Sequence, residues 1–268
     1  MTKFKITLQY IFLSIVSFMA VFPLVWMGIS ATNRSIDVTG GRLLPGTYFF
    51  TNLNNLIDLQ PVGSSFMNSL VYALIVTALA LLVSSAAGYG FEVYHDRAKD
   101  IILGIILLSM MIPFAAVMVP LFRMFSNAGF VDTIIGYVLP SIATPFLILL
   151  FRQGARSFPK EIIDAARVDG MKEMGIFFFM FMPTMKSIYG TAAVITFMGA
   201  WNSYMWPRII LWDESSITMP MMLSRLTQGY VIDFGMVMLG VFISTIPMII
   251  FFFIMQKSFT EGITGSSK

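Results

Sequence analysis

The sequence predicts an all-α polytopic membrane protein with six transmembrane helices and a polar loop between the fourth and fifth, on three observations. Of 268 residues, 57% are hydrophobic and only 12% are charged, against roughly 25% charged in a soluble domain, and the mean hydropathy is +0.82. Six uncharged runs are long enough to cross roughly 30 Å of hydrocarbon at about 1.5 Å per residue: Ile6–Asn33, Leu59–Phe91, Ile101–Phe122, Thr133–Phe151, Ser187–Pro207 and Phe234–Gln256. One polar island, Ser157 to Ser187, interrupts the second half and reads as a docking element around which the rest is organised.

Helix ends trim these runs to about residues 6–30, 65–91, 101–122, 133–151, 187–207 and 234–256, within a single transmembrane domain over residues 1–268. Lys3 and Lys5 precede the first run, which is longer than a signal-peptide core of about 7 to 15 residues and lacks a small-x-small exit. It is expected to be an uncleaved first span. Arg34 to Gly63 is polar, and LLPGTYFFTNLNNL within it reads as a short ordered segment outside the membrane. The second span carries Ser84, Ser85, Ala86, Ala87, Gly88 and Gly90, a face slim enough for another helix to approach closely. Pro113 and Pro120 in the third span, and Pro140 and Pro145 in the fourth, each remove a backbone donor and are expected to kink their helices. Kinked spans suit a pathway that opens and closes.

The fifth span ends in WNSYMWP, where Trp and Tyr read most simply as an interfacial aromatic belt. In the sharper reading Trp201, Asn202, Tyr204 and Trp206 are candidate solute-pathway residues, because aromatic faces with an amide suit a polyhydroxylated ring. Orientation follows from Lys and Arg. With the N-terminus inside, the inner segments hold Lys3, Lys5, Arg97, Lys99, Arg152, Arg156, Lys160, Arg167, Lys172, Lys186, Lys257 and Lys268, whereas the outer ones hold Arg34, Arg42, Arg123, Arg208 and Arg225. That bias places both termini and the polar island in the cytoplasm.

Several chemistries are excluded. The absence of cysteine removes disulfides, thiolate metal sites and cysteine nucleophiles. The one histidine, His95, lies in the charged turn HDRAKD and is expected to be a satisfied loop residue, not a metal ligand. No GxxxxGK[ST] stretch cradles nucleotide phosphates, and all six spans lack an interior ionisable residue of the kind an ion-coupled carrier uses. No catalytic residue, metal or cofactor is expected. Energy must then come from a partner, the alternative being a secondary carrier or channel subunit working without an ATPase.

Within the island, Pro159 suits a first helical turn, Glu161 and Asp164 place carboxylates near a positive helix start, and Asp169-Gly170 supplies a stop. Ala165 and Ala166 leave a slim face. Met174 to Met185 is uncharged, too short to cross a bilayer, and ended by Pro183. Asp164-Ala165-Ala166-Arg167, Asp169-Gly170 and Met182-Pro183 closely resemble the EAA loop of the permease subunits of binding-protein-dependent ABC importers. Gly170 falls four residues after Ala166 and Pro183 thirteen after Gly170, as in that family; Asp164, Met171, Met182 and Ser187 depart from the usual Glu, Ala, Leu and Pro. The WN...P pattern resembles the sugar-importer branch, and the tail KSFTEGITGSSK resembles that of the maltose-type second permease.

The resemblance implies a multi-pass subunit of a prokaryotic cell membrane that forms half of a sugar or oligosaccharide pathway in the lipid bilayer. It implies that the loop between the fourth and fifth spans is a cytoplasmic coupling-helix loop, with ATPase coupling through Glu161, Asp164, Ala165, Ala166, Asp169, Gly170 and Pro183. The implied partners are a second permease, two cytoplasmic ATPase subunits, an extracytoplasmic solute-binding protein that the loop Arg208 to Asp233 reaches toward, and the sugar, with no nucleic acid. Closure of the ATPase pair would move the short helix and tilt the attached spans.

Overall fold

The computed structural model describes residues 2–264, and within them the secondary structure is helical, without strands. The last predicted tail residues, including Lys268 of the charge count, lie outside the described residues. Three helices are long and apolar enough to cross a membrane singly, within α1 (Thr2–Ser30), α4 (Val62–Val93) and α15 (Phe234–Thr264). Between them come α2 (Ser35–Thr39) and α3 (Phe49–Leu59), then α5 (Arg97–Leu108), α6 (Phe114–Asn127), α7 (Ile134–Val138) and α8 (Pro145–Arg156). The chain continues through α9 (Lys160–Val168), α10 (Glu173–Gly175), a π-turn over Ile176–Phe181, α11 (Met182–Thr184), α12 (Lys186–Trp201), α13 (Met205–Ile210) and α14 (Met219–Leu226).

The predicted third and fourth spans are not straight. Helices Arg97–Met111 and Phe114–Asn127 meet at 104°, and Ile134–Ser141 and Pro145–Arg156 at 49°. The cause is local: a proline lacks the N–H that would continue the helix and forces its predecessor out of the α region. Ile112 before Pro113 is extended (φ −83°, ψ 117°), as is Thr144 before Pro145 (φ −87°, ψ 119°). Pro120, by contrast, is carried inside α6. The fifth predicted span also differs, because α12 has 16 residues and stops at Asn202. That is about 24 Å of helix, short of the hydrocarbon thickness.

The chain divides into two compact units. In the first, residues up to Phe66 together with Met219–Pro247, a core of Ala31, Leu56, Leu226, Met236 and Leu239 is tied by polar side chains. The buried Asn52 amide donates to the carbonyls of Ala31 and Asn33 at 2.9 and 3.0 Å. Gly235 sits so close that a Cβ there would lie 2.5 Å from the Asn33 oxygen. The polar segment after α1 is therefore ordered. Most of α1 is exposed apolar surface, with only 6% of its most apolar window buried, as befits a lipid-facing helix.

The second unit, Met67–Thr218 with the chain after Met248, contains the polar island. Part of its small-residue stretch packs within the chain, although Ala86 is exposed and Gly90 faces open space. Ser84 and Ser85 are fully buried, and a Cβ on Gly88 would lie 2.7 Å from both the Arg152 nitrogen and the Phe151 Cβ. Ala80, Leu147, Phe151 and Ala192 fill the neighbouring core. Glycine at 88 thus lets α4 and α8 touch backbone to side chain.

Candidate functional site: the polar island and its surroundings

Helix α9 is amphipathic because of where its apolar residues fall. Ile163 and Ala166, three apart, turn inward and are each 4% exposed, packed with Phe158, Ile176, Phe177, Phe181, Met185 and Tyr89. Glu161, Asp164, Ala165 and Val168 stand at i, i+3, i+4 and i+7 on the opposite, exposed face. The expectation of a slim face shared by Ala165 and Ala166 is thereby corrected. Consecutive residues are about 100° apart around a helix, so Ala165 faces out and Ala166 belongs to the protein's own core.

Both ends of α9 follow from single residues. Pro159 is not in the first turn but just before it, extended at φ −62° and ψ 124°. At the other end Gly170 takes φ +80°, which a glycine adopts freely. Its N–H donates to Arg167 O at 3.0 Å and the Met171 N–H to Ala166 O at 2.9 Å. This paired closure satisfies the last carbonyls of the helix and turns Met171 back onto the core.

Arg167 clasps α9 to the start of α10. Its guanidinium donates to Glu173 at 2.7 Å and lies 3.6 Å from Asp164 and 5.9 Å from the Tyr94 ring centre. The Arg167 bond, then that from Tyr94, holds the Glu173 carboxyl below its ordinary range. Beyond it, Ile176, Phe177 and Phe181 are buried, whereas Met174 and Phe179 are 67% and 77% exposed. Pro183 does not end this run. It lies exposed at the start of α11, after the π-turn, and the chain breaks two residues later at Met185 (φ −91°, ψ 20°). A proline cannot donate to the preceding turn, so a local change of pitch accommodates it. The Thr184 hydroxyl covers Met180 O and Phe181 O at 3.0 and 2.8 Å.

The four candidate pathway residues separate. Trp201, 1% exposed, stacks on Phe197, which stacks on Phe251 at 4.0 Å. Trp206, 5% exposed, donates from its indole to Gly136 O at 3.0 Å and packs edge-on against Phe125. Neither is the interfacial belt residue expected from sequence: Trp201 is enclosed by internal packing, and Trp206 is held by its indole bond and by Phe125 while part of it lines a cavity. Asn202 is exposed and its amide donates to Met198 O at 2.9 Å, closing α12. Tyr204 and Trp206 line a cavity of about 430 Å³ with Ser141, Thr144 and Ser203. A second, of about 220 Å³, shares those three hydroxyls and adds Thr196 and Tyr137. Both lie at the break in the fourth predicted span, and neither has a charged side chain in its lining.

Sequence reasoning did not single out a charge cluster next to the island. Arg152, 5% exposed, donates from Nε to Glu92 at 3.1 Å and from a terminal nitrogen to Asp100 at 2.5 Å. Arg156, one turn on, reaches Glu92 at 3.2 Å, and His95 pairs with Asp100 at 2.9 Å. Glu92 is one turn after Gly88, so the close approach at the glycine puts the carboxylate within reach of Arg152. The available signal was the pair of arginines four apart at the end of an apolar run.

Residues 86–265 match the family described as binding-protein-dependent transport system inner membrane component. The chain is 43% identical over 260 residues to the lactose transport system permease protein LacG of Rhizobium radiobacter, covering 97% of this chain and 95% of that protein. It is 32% identical to the arabinooligosaccharides transport system permease protein AraQ of Bacillus subtilis (strain 168), over 98% and 94% of the two chains. Its fold matches a chain in the crystal structure of a bacterial ABC transporter involved in the import of the acidic polysaccharide alginate, with a TM-score of 0.84 at 22% identity over 96% and 97% of the chains. The chain belongs to the family of inner membrane components of binding-protein-dependent transport systems.

Proposed function

We propose that, within this family, the chain is the permease subunit of an ATP-driven importer of a neutral sugar or oligosaccharide, and that α9 is where a cytoplasmic ATPase docks. The observation that carries the docking reading is the division of α9 into two faces: Ile163 and Ala166 bolt it to its own subunit, while Glu161, Asp164, Ala165 and Val168 remain for a partner. Val168, 88% exposed beside two carboxylates and a small residue, suits a protein cleft. Asp169 and Gly170 shape the end of that helix, and exposed Pro183 extends the same cytoplasmic surface.

Lactose and arabinooligosaccharide permeases among the relatives support a saccharide solute. So does the cavity of Ser141, Thr144, Ser203, Tyr204 and Trp206, which offers hydroxyls and ring faces without a cation for an acidic solute. We assign the pathway contact to Tyr204 and Trp206 in place of the full set of four. The chain works as one transmembrane domain over residues 1–268, since α4 and α15 each have residues in both compact units. A second permease completes the pathway, two ATPase subunits hydrolyse ATP, and an external binding protein delivers the sugar. Both termini lie in the cytoplasm of a bacterial cell.

Ala165→Trp tests the dock without touching the core. The variant should insert and pair with its companion permease, while recovery of the ATPase on an affinity column and uptake of labelled lactose fall at least tenfold. Normal ATPase recovery would overturn the docking reading. Cysteines placed at Lys160 and Ser216 test orientation: an impermeant thiol reagent should label 216 and spare 160 in intact cells.

A further inference from the structure

The charge cluster stands between the proposed dock and the helix that leads into the sharper of the two bends in the predicted spans. Helix α8 ends at Arg156, its last turn is continued by the Ser157 and Phe158 N–H groups bonding to Gly154 O and Ala155 O, and Phe158 packs beneath α9. From this end Arg152 reaches carboxylates on two other elements, Glu92 near the end of α4 and Asp100 in the first turn of α5. A guanidinium presents its donors in one rigid plane, so a bond to each carboxylate fixes the three elements relative to one another. Where the arginine is withdrawn from water, loss of either partner is poorly replaced by solvent. Helix α5 in turn is the limb ahead of the 104° bend at Ile112–Pro113, where the backbone is extended and helical hydrogen bonding is interrupted.

We infer that Arg152 is a positioning residue that makes the end of α4, the start of α5 and the last turns of α8 move as one, so that displacement of α9 swings α5 about the Pro113 bend. The inference rests on the reading of α9 as the ATPase dock. Replacing Arg152 by Gln leaves Glu92 to Arg156 and Asp100 to His95 but cuts the whole bridge at once and tests folding as much as coupling, so the deciding variants are milder. Asp100→Asn turns the charge-assisted bond from Arg152 to a carboxylate 45% exposed into a weaker neutral one and leaves Arg152 on Glu92. Arg152→Lys keeps the charge, but a single ammonium does not reproduce the two-armed bridge. Asp96→Asn weakens the cap of α5, whose side chain accepts from the Lys99 N–H at 2.9 Å, without touching Arg152.

The chain has no cysteine, so spin labels at Ile105→Cys and Met124→Cys, both exposed, report the angle of the bend by pulsed electron paramagnetic resonance. The sample is the assembled transporter with partner cysteines replaced, measured without nucleotide and after trapping with ATP, magnesium and vanadate. The inter-label distance should change on trapping in the parent and in Asp96→Asn. The change should fall at least threefold in Asp100→Asn and at least twofold in Arg152→Lys, with ATPase recovery within twofold of the parent throughout. A full distance change in Asp100→Asn, an equal loss in Asp96→Asn, or no change in the parent overturns the inference while leaving the dock intact. Failure of the ATPase to co-purify with the parent overturns the docking reading itself and this inference with it.

Discussion

Two arginines a few turns apart, Arg152 and Arg167, each grip two carboxylates, and they differ in almost everything that decides what the grip is for. The Arg152 side chain is 6% exposed, against 38% for Arg167. The first bridges α4, α5 and α8, elements far apart in sequence. The second holds a loop within ten residues of chain, Asp164 to Glu173. Burial turns a charge pair into a structural commitment, because an unpaired charge in the interior has no solvent to fall back on, whereas an exposed pair exchanges easily with water and salt. Burial likewise separates the faces of α9, whose inward residues pack into the subunit and whose outward ones stay exposed.

The largest expected effect comes from breaking the buried arm. Arg152→Met removes two charge-assisted bonds and should lower the stability of the subunit in mild detergent by about 2–4 kcal/mol, read as a drop in the midpoint of thermal unfolding. A midpoint within 1–2 °C of the parent, on the order of a few tenths of a kcal/mol, would show that the cluster is no more committed than the surface pair.

The two alanines sharpen the contrast between faces. Ala166→Trp should cost about 1–3 kcal/mol by overfilling the core around Phe177 and Phe181, whereas Ala165→Trp should leave unfolding unchanged and act only on ATPase recovery. Equal losses from both would mean that α9 is seated differently. Next, Gly170→Val should cost about 1–2 kcal/mol locally, because a β-branched residue is strained at φ +80°. Hydrogen exchange of the Met171 amide, bonded to Ala166 O at 2.9 Å, should then speed up, and an unchanged rate would mean that the glycine turn does not hold the end of α9.

The smallest effect belongs to the exposed arm. Arg167 lowers the Glu173 pKa in the folded protein, so the stability Glu173 contributes is present above the ordinary carboxylate range and is lost as pH falls through the lowered value. Glu173→Gln should therefore differ slightly from the parent at neutral pH and converge with it in acid, the difference shrinking with added salt. A difference that grows on acidification would reverse the assignment.

How much of this was readable in the chain depends on the range of the interaction involved. The short helix, its acidic start and its glycine stop are local, so Glu161, Asp164, Asp169 and Gly170 could be placed from sequence. Pro113 and Pro145 announced breaks for the same reason, although the size of each bend could not be read. The direction of a side chain from a short helix was not available, since Ala165 and Ala166 are alike until a core exists to choose between them. The two tryptophans of WNSYMWP depart from the interfacial reading because a tryptophan before a polar turn serves a membrane interface or an internal packing equally well, and the bond from Trp206 to Gly136 joins residues 70 apart.

By itself, then, the sequence determined the membrane class, the helical periods, the uneven distribution of Lys and Arg and the position of the glycine turn that closes the short helix, all properties set by composition or by neighbours within a turn or two. Only the tertiary structure decided which alanine faces outward, which aromatics line a cavity and which arginine is buried. Those choices depend on long-range contacts: Glu92 lies 60 residues from Arg152 along the chain, and nothing short of the folded approach of α4 to α8 at Gly88 brings the carboxylate and the guanidinium together.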